Sequence, residues 1–382
     1  MGGGLAGLVA AVTAAEHGAA VDLHEAHPML GGRARSTQGP FVANLGPHAL
    51  YSDGPMWAWL HERSLLPPVA SPLRHGFRLR HGGVARRTPP LGFAQALLRL
   101  RRLDAPVDRS FREWAAPIVG DDEAAALSSA AGVFSCVEDP GTLSAAWVHE
   151  RLVRVTSPRP AARYPIGGWT SLVERLAAGA RERGVRIHLS SRVDHLPVDG
   201  PVVVATELRA ARRLLGDESL RWTGARTALL DVGLTARRGD PFIVSDLDGA
   251  GWAERFSGPD PTLAPPGHSL VQAHVGAPTL DEGVARLEGL LDAAFTGWRE
   301  REVWRRRSLV EDMSGAVDRP GTTWRDRPAV DRGDGVLLCG DMVAAPGLFS
   351  EVSWASGVEA GRLAAQSMRR TPRRPAQARS VT

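Results

Sequence analysis

Gly2, Gly4 and Gly7 stand at the G-x-G-x-x-G spacing, with Leu5 and Ala6 filling the last interval. Between a strand and a helix, that spacing cradles a dinucleotide pyrophosphate. The first glycine allows the tight turn, the second lets backbone approach phosphate oxygens, and the third lets the helix pack closely on the sheet. The helix N-terminus then turns unpaired N–H groups and a positive dipole end toward negative charge. Ala11, one turn beyond Gly7, keeps the contact small. Glu25 closes the next apolar stretch, where a carboxylate accepts hydrogen bonds from adenosine ribose hydroxyls.

These residues need a helix and strands to hold them. Residues 5–17 are apolar at helical spacing and Gly18 ends the run as a C-cap glycine does. Ala20-Val21-Asp22-Leu23-His24-Glu25 reads as a strand. Residues 56–155 read as mostly helical, with breaks at Pro67-Pro68 and Pro89-Pro90. Trp169, Leu172, Val173, Leu176 and Ala180 make one helix face that Gly184 stops. Val185–Leu189 and Pro201–Ala205 are strand candidates, the second of the kind a buried parallel sheet needs. From about 222 to 276 the pattern is alternating and turn-rich, which predicts an antiparallel sheet. Residues 280–299 predict an amphipathic helix, Val336–Cys339 a buried strand and 353–368 a last helix. Trp298–Arg307, rich in arginine with interleaved glutamate, reads as a solvated helix rather than a nucleic-acid stripe.

Composition narrows the class. With 382 residues, 43% hydrophobic and 23% charged, the chain is long enough for two intertwined domains with a sizeable core. Only Cys136 and Cys339 are present, so neither a disulfide framework nor a cysteine metal site is expected. No run approaches the roughly 20 apolar residues of a membrane span, and the N-terminus lacks signal-peptide features. A cytoplasmic protein is the expectation. The net charge of +4 owes its sign to five arginines after Met368; removing them leaves −1. That tail, Pro-interrupted and basic, is expected to be disordered and solvated, with anionic lipid or nucleic acid as the lesser alternative. No G-x-S-x-G elbow, P-loop or metal-ligand cluster occurs. The chain has no lysine, and Asn44 is its only asparagine.

From Gly31-Gly32-Arg33-Ala34-Arg35-Ser36 onward the sequence resembles the amine oxidase, protoporphyrinogen oxidase and phytoene desaturase group of flavoproteins. In that family this segment crosses the FAD pyrophosphate, which implies the same for Gly31, Gly32 and Arg33. Leu45-Gly46-Pro47-His48-Ala49-Leu50-Tyr51 resembles the stretch leading to the flavin ring. Asp139–Ala145 and Tyr164–Trp169 resemble blocks of desaturase-like members, and Ser191-Arg192-Val193 resembles the place where a valine backbone touches adenine. Leu338-Cys339-Gly340-Asp341 with Ser350–Gly357 resembles the second FAD motif. By that match Gly340 and Asp341 hold the ribityl-phosphate region, while Val352 and Ser353 lie near the isoalloxazine at a helix N-terminus. The ordered blocks span roughly residues 2 to 365 and imply FAD rather than NAD. Two departures matter: the lysine that commonly holds a water at flavin N5 in amine oxidases is missing, and no cysteine is placed to attach the flavin. The desaturase-like branch gains by both.

The resulting expectation is an α/β protein with a Rossmann-like FAD-binding domain, its first strand missing, and an inserted α+β substrate domain. The FAD domain is assigned residues 1–56, 160–221 and 311–368; the substrate or cap domain takes 57–159 and 222–310, and 369–382 form the tail. The expected activity is hydride transfer from an apolar organic substrate to flavin N5, with oxygen, a quinone or another electron acceptor. No nucleic-acid partner and no metal is expected, and no catalytic side chain is assigned. The glycine motif ordinarily follows a strand, yet Met1 stands inside the turn, so the strand is expected to be encoded just upstream. The alternative is a defective, non-catalytic flavoprotein fold acting in binding or maturation. Leu91–Leu103 is basic and amphipathic: a cap-domain helix is the preferred reading, a peripheral contact at the inner membrane face the other. His48, Tyr51, Trp324 and Trp354 are cavity candidates that aromatic packing explains equally well.

Overall fold

The computed structural model describes residues 1–45, 49–313 and 315–370. Helix α1 (Leu5–Glu16) is not amphipathic: every residue from Leu5 to Ala14 is buried, as a helix that is apolar all round requires. Small residues make that burial close. A Cβ on Gly357 or Gly361 would run into the carbonyls of Ala6 and Ala10, so the last helix lies almost backbone to backbone with the first.

After α1 the chain forms β1 (Asp22–His24), β2 (Leu50–Tyr51), α2 (Pro55–Glu62), β3 (Val69–Ala70), β4 (Phe77–His81) and β5 (Val84–Arg86). A helical block follows: α3 (Leu91–Leu100), α4 (Phe111–Val119), α5 (Asp121–Ala130), α6 (Gly132–Ser135) and α7 (Ala145–Val155). Then come β6 (Ala162–Pro165), α8 (Trp169–Glu182), β7 (Arg186–His188), β8 (Val202–Val204) and α9 (Leu208–Leu215). The large sheet is completed by β9 (Arg226–Thr235), β10 (Ile243–Asp246), β11 (Trp252–Glu254) and β12 (His268–Gly276). Last are α10 (Leu280–Ala294), α11 (Trp298–Arg301), β13 (Glu302–Glu311), β14 (Val336–Leu338) and α12 (Ser350–Arg370). No helix among the described residues is long and apolar enough to cross a membrane.

The seven-stranded sheet runs β13-β9-β12-β11-β10-β4-β5, antiparallel except where β10 meets β4. Its back face is closed by α10, whose Leu287, Leu290 and Leu291, with Phe295 just past its end, are fully buried with Leu230, Val232 and Val244. Each such side chain contributes about 1.5–3 kcal/mol. Thr279 caps α10 by accepting from the Glu282 N–H, and Ser110 with Glu113 forms a capping box at α4.

Two sequence expectations are corrected here. Residues 302–311 form an edge strand, not a continuation of the solvated helix, because Trp304 and Arg306 find partners on the sheet at every second position. Residues 77–86, expected within a helical stretch, form the β4–β5 hairpin at the other edge, joined to β10. Helix α3 is present, and beside its arginines the solvent-facing side also carries Leu91 and Leu98.

Beside α1 lie two parallel strand pairs, β1 with β7 and β8 with β14. Met1 and Gly2 lie between them. The Met1 ammonium donates to the Val203 carbonyl, the Ala205 N–H donates to the Met1 carbonyl, and the Gly2 N–H donates to His24, each at 2.8 Å. Thus the two N-terminal residues bridge the two pairs. Burial holds the Met1 ammonium below its ordinary pKa.

Candidate functional site: a two-walled cavity

The three glycines differ in the space around them. Gly2 has a left-handed φ of +93°, and a Cβ there would meet the Ala205 carbonyl. Gly7 has no room either, since its Cβ would fall on the Gly2 carbonyl oxygen. Gly4 is different: the nearest atom to a Cβ is the Gly31 oxygen at 4.0 Å, so its open side faces free space. Helix α1 has no side-chain cap, and the Leu8 N–H is the first to bond back into the turn. The N–H groups of Leu5, Ala6 and Gly7 therefore belong to the uncapped first turn.

That free space is part of a cavity of about 1870 Å³. A pocket for one drug-sized ligand occupies roughly 300–1,000 Å³, so this one has room for a cofactor and a substrate together. Of the residues assigned from sequence, Gly2, Gly4, Leu5, Ala6, Glu25, Gly31, Gly32, Arg33, Val193, Gly340, Asp341 and Ser353 line it. Gly7 lies beneath the turn and Val352 is buried behind Ser353, so neither reaches the wall. Gly46, Pro47 and His48 lie outside the described residues. Tyr51 lines the cavity; Trp324 does not, and Trp354 packs into the α1–α8 core instead.

Local bonds explain how each is held. Glu25 accepts from the Gly3 N–H at 2.7 Å and from the His27 N–H at 2.8 Å, which fixes its carboxylate at the C-terminal end of β1. The Gly31 N–H donates to the Gly3 carbonyl at 2.7 Å, tying the second glycine pair to the first. Arg33 reaches across the chain to Asp341, donating at 2.6 Å, and also donates to the Asp312 carbonyl. Asp341 thus already has a cationic partner. The Gly340 N–H donates to the Ser356 hydroxyl at 3.0 Å, which joins the end of β14 to the first turns of α12. At the same helix start, Glu351 accepts two bonds of 2.8 Å from Arg154, whose guanidinium lies over the Tyr51 ring.

The opposite wall is the front face of the large sheet. Register places Ile243 and Ser245 of β10, Trp252 and Glu254 of β11, Gln272 and His274 of β12, Leu229 and Asp231 of β9 and Arg306 of β13 on this face. Asn44 ties the two walls together. Its side-chain oxygen accepts from the Ser36 hydroxyl at 2.9 Å and the Trp169 N–H at 3.0 Å. Its N–H donates to Gln272 at 3.0 Å, and its carbonyl accepts from Gln272 at 3.0 Å and Arg306 at 3.2 Å. Gln272 and Arg306 in turn both donate to Asp231, at 3.0 and 2.6 Å. Sequence reading missed this network, although a lone aspartate within the apolar run 228–234 is a signal that could have pointed to it.

The first 63 residues match the model of the NAD(P)-binding Rossmann-like domain family. No curated protein matches the chain. Over its length the structure is similar to an oxidoreductase from Methanosarcina mazei, with TM-score 0.76, 17% identity, 95% of this chain and 98% of that one. It is also similar to cyclohexylamine oxidase from Brevibacterium oxydans IH-35A, at 0.74 and 16%, covering 97% and 98%. Reduced UDP-galactopyranose mutase follows at 0.68 and 15%, covering 94% and 93%. The chain therefore has a mixed α/β fold with an N-terminal NAD(P)-binding Rossmann-like segment, and it shares that fold almost end to end with an oxidoreductase, an amine oxidase and a mutase.

Proposed function

We propose that this chain is an FAD-dependent oxidoreductase that takes a hydride from a largely apolar organic molecule. One observation carries the reading. The glycine turn, Glu25, Gly32-Arg33, Gly340-Asp341 and Ser353 come from both ends of the chain and meet on one wall of a cavity large enough for FAD and substrate together. The residues suit that cofactor. Glu25 would accept from the adenosine ribose, and Val193 would sit at the adenine. The uncapped α1 terminus and Gly4, whose open side a Cβ would fill, would hold the pyrophosphate. Asp341 and Gly340 would take the ribityl-phosphate region, with Arg33 balancing the charge. Bound FAD supplies a ring that accepts the hydride and later passes its electrons to oxygen or a quinone.

The protein's own part is placement. The α12 start, locked by the Glu351–Arg154 pair, would offer its positive dipole end to a bound ring. The large sheet, with Ile243, Trp252 and Leu229 in its front face, excludes water and orients the substrate. The division into a discontinuous FAD domain (1–56, 160–221 and 311–368) and a substrate domain (57–159 and 222–310) belongs to the same proposal.

The test is the visible spectrum of the purified chain after incubation with FAD. Flavin bands, and flavin released on denaturation, are expected. Asp341→Ala should weaken FAD roughly 10-fold or more, the effect of removing an ionised hydrogen-bonding partner. A well-folded, colourless protein that releases no flavin would end this reading in favour of a non-catalytic fold.

A further inference from the structure

Most of the buried charges on the cavity walls are spoken for. Arg33 is paired with Asp341, Arg154 with Glu351 and Arg306 with Asp231. His274, on the sheet face, is held neutral by burial, which pushes its pKa down to about 4. Glu254 is the exception. It sits in β11, only 5% exposed, on the cavity-facing side between Ile243 and Gln272. The Tyr164 hydroxyl donates to Oε1 at 2.5 Å and the Trp252 indole N–H donates to Oε2 at 3.3 Å. Both donors are neutral. Among the described residues no cation stands within ion-pairing distance of this carboxylate.

A carboxylate so placed is costly to ionise unless a cation or further donors reach it. Burial accordingly pushes its pKa up to about 7, with Tyr164 and Trp252 pulling it back. Two neutral donors leave further lone pairs on the two oxygens unused. Tyr164 is itself clamped edge-on between Phe242 and Phe256, so the carboxylate cannot swing away with its partner. An acceptor fixed in this way on an apolar cavity wall suits a ligand that brings its own donor.

We propose that Glu254, oriented by Tyr164 and Trp252, is the specificity-determining acceptor of the cavity, binding the hydrogen-bond-donating head, ammonium or hydroxyl, of an otherwise apolar substrate. This deepens the oxidoreductase reading and rests on it for the chemistry, but not for the binding. The corollary is exclusion: a substrate whose head is a carboxylate would set two anions together in a poorly solvated place.

Calorimetric titration of the full chain with FAD added, using benzylamine, benzyl alcohol and benzoate as probes, tests it. Both donor probes are expected to bind more tightly than benzoate. Glu254→Gln should weaken benzylamine roughly 10- to 100-fold, the worth of a hydrogen bond to a charged group, and narrow its advantage over benzoate. Tyr164→Phe should shift the ranking the same way by less, which keeps the test usable should the glutamine variant fold poorly. Wild-type protein that binds benzoate as well as the donors, or binds none of the three, overturns the proposal. So does a folded Glu254→Gln protein that binds benzylamine as tightly as wild type. A colourless sample that still ranks the probes as expected would remove the flavin reading and leave this assignment standing.

Discussion

Gly7→Ala is expected to abolish FAD retention and to destabilise the chain, although alanine is the better helix former. In an open helix position the exchange gains about 1 kcal/mol. At Gly7 the new methyl would land on the Gly2 carbonyl oxygen, with the Ala205 methyl close behind. Neither obstacle can rotate aside: one is backbone in a left-handed turn, the other a Cβ beside β8. Overpacking of this kind costs about 1–3 kcal/mol, so it outweighs the propensity gain. The relief available is to push α1 away from the turn, and that moves the N–H groups of Leu5 and Ala6 that face the cavity. Gly289→Ala, in α10 with nothing within 4 Å of the new methyl, is the matched control and should be neutral or stabilising. Thermal melts and FAD absorbance of both variants decide the matter. A Gly7→Ala protein that keeps flavin and melts no lower than wild type would refute the close-packed turn.

Arg306→Ala should produce the other large effect, a loss of about 3–5 kcal/mol, because it leaves a buried carboxylate without its cation. Asp231 is 1% exposed, and burial already pushes its pKa above the usual range against the pull of Arg306 and Gln272. The same change removes a donor to the Asn44 carbonyl and so loosens the tie between the cavity walls. The sign with pH follows. An unpaired Asp231 has a raised folded pKa, so the variant's deficit should be full above that value. It should fade as pH falls from that value toward the unfolded value of about 3.9 and vanish below it, where the group is neutral in both states. Arg307→Ala, one residue on, has among the described residues only an exposed Asp281 at 3.9 Å as ion-pair partner and should change stability within about 0.5 kcal/mol. Urea midpoints at two pH values separate these outcomes. Equal midpoints for the two variants at neutral pH would sink the argument.

How far the site was legible follows from which interactions are local. The glycine turn, α1 and Glu25 form one contiguous unit, and their spacing alone predicts the turn, the helix and the Glu25 position. Gly340-Asp341 ends a buried strand, β14, that an apolar run of four residues announces. By contrast Arg306 reads as one of many arginines in a charged stretch. It takes its role only from lying opposite Asp231 on β9. Glu254 carried no signal at all: in sequence it is an ordinary acid between Ala253 and Arg255. Its importance comes from a three-residue strand that turns it toward Tyr164, ninety residues away. Residues 77–86 misled for the same reason, since an edge hairpin is held by β10 rather than by its own propensity.

The sequence by itself therefore determined the kind of turn at the N-terminus, the buried helix after it and the order of the motif blocks, because glycine sterics and apolar spacing act over a few residues. Tertiary structure decided which charges are neutralised and which wait for a partner. It brought Arg33 to Asp341, Arg154 to Glu351 and Arg306 to Asp231, and among the described residues gave Glu254 the neutral donors Tyr164 and Trp252. Pairing of ions 75 to 308 residues apart depends on how layers pack, and no spacing rule along the chain encodes it.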